Sequence, residues 1–68
     1  MAINQDILEG KWKQIAGKVK AKWGDLTDDD ITKVNGNAER LAGVIQERYG
    51  KTREQADKEA RDFFDQHR

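Results

Sequence analysis

Sixty-eight residues allow one domain (1–68), close to the lower limit for a chain held together by its own core alone. The sequence has no Cys, so disulfides and thiolate metal sites are excluded. The 13 basic and 13 acidic residues cancel overall but not locally: residues 1–24 sum to +3, residues 25–39 to −4 and residues 40–68 to +1.

Leu, Ile, Val and Phe make up only 13 of the 68 residues, close to the composition of disordered chains. Disorder usually also needs a large net charge, which is missing here, and there is no Pro and no low-complexity tract. A folded domain is expected. No apolar run approaches the roughly 18 residues of a membrane span. The opening "MAINQDILEGK" lacks a basic segment leading into an apolar one. The expectation is a soluble, cytoplasmic, monomeric protein without integral membrane association.

In chain order, Asn4 is a candidate cap for an early turn, with Ile3 and Leu8 placed as a hydrophobic staple. Gly10 suits a break after it. Leu8, Trp12, Ile15, Ala16, Val19 and Trp23 recur every three or four residues, within an arc of about 100° on a helix. This stripe predicts a first long helix, stopped by Gly24 in the left-handed conformation. Thr27 then reads as an N-cap, with Asp28, Asp29 and Asp30 at the positive end of the helix dipole. Leu26 and Ile31 sit in staple positions, and Asn35-Gly36 ends this short helix after about two turns. A third helix spans about Asn37 to Tyr49, with Ala38, Leu41, Val44 and Ile45 inward and Gly50 as its stop. Thr52 opens the last helix in a T-x-x-Q box, and Ala56, Ala60, Phe63 and Phe64 form its apolar face.

Four helices joined by very short turns must fold back on one another. The fold class is all-α: a bundle of four short helices arranged as two packed helical hairpins. The halves echo each other. "IAGKVKAKWG" at 15–24 returns as "LAGVIQERYG" at 41–50, and the six glycines fall at 10, 17, 24 and 36, 43, 50. An internal repeat of about 26 residues is expected, with Trp23 matched to Tyr49 and Lys22 to Arg48.

The segments "GKWKQIAGKVKAKWGDLTDDD", "LAGVIQERYG" and "REQADKE" together resemble the CsbD-like family of small bacterial general stress-response proteins. The resemblance covers roughly residues 8–60; Val44 stands where the family often has Lys. It implies a cytoplasmic bacterial protein raised in general stress or stationary phase. It also implies crossed helical hairpins similar to SAM-like folds with an incomplete helix-hairpin-helix pair. It carries no biochemical activity that transfers residue by residue.

Catalysis has little to work with. There is no Ser, and the single His is His67, so a nucleophile with an oriented base is not available. The protein is expected not to be an enzyme and to need no cofactor. A calcium loop begun at Asp25 would need Gly at its sixth position and Glu at its twelfth, where Asp30 and Gly36 stand. That loop fails.

The first long helix holds the main functional candidates. Lys11, Lys18 and Lys22 flank one side of its apolar stripe, and Lys13 and Lys20 the other. They suit a solvated rim around a buried stripe, weak contact with nucleic-acid phosphates, or an anionic membrane surface. A hairpin-type backbone grip on DNA phosphate is disfavoured, because "WGDLTDD" has one Gly and is acidic. Gly17 and Gly43 lie mid-helix, away from the apolar faces, where Gly costs about 1 kcal/mol relative to Ala. They suit close packing, a partner-binding face, or tolerated surface positions. Three functions follow: a small protective or interaction protein of the stress response, a nucleic-acid-associated module using the lysines, or an adaptor for a protein partner.

Overall fold

A computed structural model describes residues 11–67, so the predicted early turn at Asn4, its Ile3–Leu8 staple and the break at Gly10 lie outside the described residues. Four helices follow in order: α1 (Trp12–Lys22), α2 (Asp28–Val34), α3 (Ala38–Tyr49) and α4 (Arg53–Gln66). No strand occurs among the described residues.

Each helix start after the first is capped by a side chain. Thr27 Oγ1 accepts the Asp30 N–H at 3.1 Å, and Asp30 Oδ2 returns the favour to the Thr27 N–H at 3.1 Å. This reciprocal box satisfies two backbone donors that the first turn would otherwise leave open. Asn37 caps α3 through the Arg40 N–H, and Thr52 caps α4 through the Gln55 N–H. Between α2 and α3 the chain turns through two consecutive left-handed residues, Asn35 (φ 46°) and Gly36 (φ 81°).

α1 and α3 end differently. Gly50 takes the left-handed conformation (φ 66°), and its N–H still reaches the Gln46 carbonyl at 2.9 Å, a glycine stop as expected. Gly24 does not. Among the described residues the positive-φ glycines are Gly36 and Gly50, and α1 leaves helical geometry one residue earlier, at Trp23 (φ −119°, ψ 77°). The Leu26 N–H then closes a tight turn onto the Trp23 carbonyl at 3.0 Å. The early exit has a cause: Trp23 swings into the core, and the turn carries Leu26 in after it.

The core is one apolar cluster running from Trp12 to Phe64 and drawing on every helix. Among the described residues, those expected inward from periodicity are buried, with Ala42 added and with Ala16 and Ile31 only half-buried; Leu8 lies outside the described residues. Leu26, just before its helix, is 2% exposed and joins Val34 of the short helix in the core. The small buried residues Ala42, Ala56 and Ala60 let α3 and α4 approach closely. α1 is held further off: no Cα of α1 comes within 8 Å of one in α4. Large rings fill that gap. Trp12 meets Phe64 edge-on at 6.3 Å between centroids, and Trp23 meets Phe63 at 5.2 Å. Such edge-to-face pairs add about 0.5–1.5 kcal/mol beyond burial.

Candidate functional site

α1 presents a one-sided surface. Its buried stripe is Trp12, Ile15 and Val19, continued by Trp23, and it contains no Asp or Glu. The outward arc begins with Lys13 and Lys20 on one side, passes through Gly17, Ala21 and Gln14, and ends with Lys11, Lys18 and Lys22 on the other. All eight of these residues are exposed.

The five lysines divide by what they touch. Lys20 Nζ lies 2.6 Å from Asp28 Oδ1, a pair open to solvent on both sides. The hydrogen bond and charge of Lys20 hold the Asp28 carboxyl below its usual range. Lys22 Nζ sits 5.4 Å from the Trp23 ring centroid. Lys11, Lys13 and Lys18 have no acidic partner among the described residues. The acidic segment that follows α1 therefore pairs with one lysine near the C-terminal end of the helix and does not reach those of its N-terminal two turns.

Gly17 and Gly43 are both exposed, and a methyl group added at either would meet nothing within 4 Å. Close packing among the described residues is thus not their reason. Each leaves a shallow place on an outward helix face.

The triple Asp separates into different roles. Asp28 turns to Lys20, whereas Asp30 is buried at 3% exposure and is gripped by Arg48. Arg48 Nε donates to Asp30 Oδ2 at 2.7 Å and its Nη2 to Oδ1 at 3.2 Å. The Arg48 hydrogen bond, then the Thr27 backbone N–H, hold the Asp30 carboxyl at about 2. No group of three metal-binding side chains forms among the described residues.

A second polar cluster ties the ends of α1 and α3 across the molecule. Trp23 Nε1 donates to Glu59 Oε1 at 3.2 Å, and Lys51 Nζ pairs with Glu59 Oε2. The Lys51 hydrogen bond is the main force keeping the Glu59 carboxyl below its usual range, with Trp23 adding to it. The Tyr49 phenol oxygen accepts the Asp25 N–H at 3.1 Å, bracing the turn after α1 from the end of α3. His67 Nδ1 lies 2.8 Å from the Phe63 carbonyl oxygen, and its ring rests on the Phe63 ring at 4.2 Å. Its contacts are those of a helix terminus. A shallow groove of about 390 Å³ between α2 and α3 is lined by Asp30, Lys33, Arg40, Val44 and Glu47. Arg40 there is already committed, its Nη1 donating to the Lys33 carbonyl at 3.3 Å.

Sequence reasoning singled out the lysines and both mid-helix glycines, which lie exposed, but missed Asp30–Arg48 and Trp23–Glu59–Lys51. One of these was signalled: Thr27-x-x-Asp30 is a capping box of the same form as Thr52-x-x-Gln55, and it marks Asp30 as the acid turned toward the chain. Glu59 had no comparable signal, because nothing local distinguishes it from its acidic neighbours on α4.

The molecule is thus a small helical protein whose distinctive surface is a lysine-faced first helix. The chain belongs to the CsbD-like family, whose sequence pattern matches residues 6–58. It is 68% identical over 63 residues to a UPF0337 protein of Bordetella pertussis, covering 93% of this chain and 96% of that one. A UPF0337 protein of Pseudomonas aeruginosa is 56% identical over 63 residues, covering 93% and 97%. The UPF0337 protein YjbJ of Escherichia coli is 52% identical over 61 residues, covering 90% and 88%. No described helix is long and apolar enough to cross a membrane.

Proposed function

We propose that this protein is a non-enzymatic, cytoplasmic member of the bacterial stress response that acts by binding, and that the outward face of α1 is its binding surface for an anionic partner. The family resemblance supports the stress setting. The observation that carries the binding reading is the charge of α1: five exposed lysines and no acid on the helix, with Lys11, Lys13 and Lys18 unpaired among the described residues. An anionic partner would gain from all three without displacing a carboxylate of the described residues. A solvated rim is the competing explanation, and it predicts no affinity.

Inorganic polyphosphate separates the two. The full chain is expected to bind it at low salt, with affinity falling as salt rises. The triple variant Lys11→Gln, Lys13→Gln, Lys18→Gln should lose that binding while keeping its helical circular dichroism. Undiminished binding by the triple variant would contradict the assignment. A second reading, an adaptor for a protein partner, draws on the open surface above Gly17 and Gly43. It predicts that Gly43→Leu abolishes partner capture from stressed cells with folding intact.

A further inference from the structure

The α1 surface has a shape as well as a charge, and the shape narrows the partner. At 100° per residue, Lys13 stands about 150° around the helix from Lys11 and Lys18. The basic groups therefore form two rows that straddle the outward line instead of a single patch. Along that line lie Gly17, Ala21 and Gln14, all exposed. Gly17, about midway along the helix between Gln14 and Ala21, has no side chain, at a cost of about 1 kcal/mol in helix propensity. Nothing within the described chain requires this glycine, since a Cβ there would meet nothing within 4 Å.

We propose that the outward face of α1 enters the major groove of B-form duplex DNA. Lys13 then reaches the phosphates of one strand, Lys11 and Lys18 those of the other, and Gly17 and Ala21 pass closest to the base edges. This rests on the anionic-partner reading above and specifies its occupant. A helix with its side chains is about 10–12 Å across, and the groove is about 12 Å wide. A low ridge flanked by long cationic side chains can seat deeply without clashing. Gln14 is the one side chain on the ridge with an amide able to read a base edge, and there is no Arg on the helix. Binding is therefore dominated by phosphate and weakly dependent on sequence.

The alternatives fit less well. A lipid surface calls for an exposed apolar face, but Trp12 and Trp23 are buried at 7% and 3% exposure. Duplex RNA has a major groove too deep and narrow for a helix. Asp28, beside Lys20, repels phosphate at the C-terminal end of the helix, so the contact centres on the two turns around Lys11 to Lys18.

Fluorescence anisotropy of the full chain with labelled duplex DNA, duplex RNA, anionic phosphatidylserine vesicles and inorganic polyphosphate tests the proposal. Three phosphate contacts predict a log–log salt slope of about −2.7, a loss of about 40-fold between 50 and 200 mM salt. Lys11→Gln, Lys13→Gln, Lys18→Gln together should remove most of this dependence. Gly17→Leu places bulk on the ridge without touching a neighbour. It should weaken DNA binding by about tenfold yet leave polyphosphate binding unchanged, while Gly17→Ala retains DNA binding. DNA binding that is indifferent to Gly17→Leu, equal affinity for duplex RNA, or preference for vesicles overturns groove insertion. The anionic-partner reading survives those results as long as the lysine variant still loses polyphosphate. Failure to bind any of the anions overturns both.

Discussion

α1 and α3 are helices of nearly equal length, 11 and 12 residues, yet their basic residues have opposite fates. On α3, Arg48 turns back to hold a buried carboxylate in α2, and Arg40 donates to the Lys33 carbonyl in the last turn of α2. On α1, the basic residues face outward and three of them meet no acid among the described residues. The lesson is a division of labour: α3 uses its cations to build the molecule, whereas α1 keeps its cations in solvent. α1 can do this because rings, Trp12 on Phe64 and Trp23 on Phe63, pack beneath it, while its ion pair to α2, Lys20–Asp28, is open to solvent.

The strongest way to break this contrast is to remove the ring support. Phe64→Ala deletes a fully buried side chain from the floor under α1 and should cost about 3–5 kcal/mol. That is a large part of the roughly 3–10 kcal/mol expected for a domain of this size. Urea unfolding should show a midpoint shifted to much lower denaturant, and tryptophan emission should move to the red as Trp12 loses its partner. An unchanged midpoint would mean that α1 is held by something else.

Next in size is the α3 commitment. Asp30→Ala removes one side of the cap and both Arg48 bonds, a loss of about 2 kcal/mol. The same pair predicts an acid dependence. The folded carboxyl sits at about 2, below its ordinary 3.8, so its contribution is complete above pH 3.8 and is lost as pH falls through 2. Thermal unfolding between those pH values should be steeper in the native chain than in Asp30→Asn. Equal slopes would show that Arg48 does not stabilise the ionised form.

The two helix stops sharpen the comparison at smaller magnitude. Gly50→Ala forces a side chain into the left-handed region at φ 66° and should cost about 1–2 kcal/mol. Gly24→Ala has ordinary backbone geometry and nothing within 4 Å, so it should change stability by only a few tenths of a kcal/mol. Comparable losses at both sites would contradict the early exit of α1 at Trp23.

These stops also mark what the sequence could and could not convey. Helix number, order and inward faces follow from spacing, because burying a stripe with a period near 3.6 leaves little choice of element. Thr27, Asn37 and Thr52 are local signals acting within three residues, so the later starts are legible as well. Gly24 and Gly50 look alike in sequence, but their conformations depend on where Trp23 and Tyr49 go, which is decided by packing across the molecule. Trp23 leaves the helix to reach Glu59, 36 residues away. Tyr49 stays helical and lends its hydroxyl to Asp25, 24 residues away. The lysine face was legible because it is a property of one helix. That Asp28 pairs with Lys20 and with none of Lys11, Lys13 and Lys18 depends on where the following turn places α2.

The most direct test of this division of labour compares two variants in two assays: Lys11→Gln, Lys13→Gln, Lys18→Gln in one chain and Arg48→Gln in another, each measured for urea midpoint and for polyphosphate affinity at low salt. The lysine variant should keep its midpoint and lose its affinity, while Arg48→Gln should lose midpoint and keep affinity. A lysine variant that binds as the native chain does, or one that unfolds as readily as Arg48→Gln, would contradict the account.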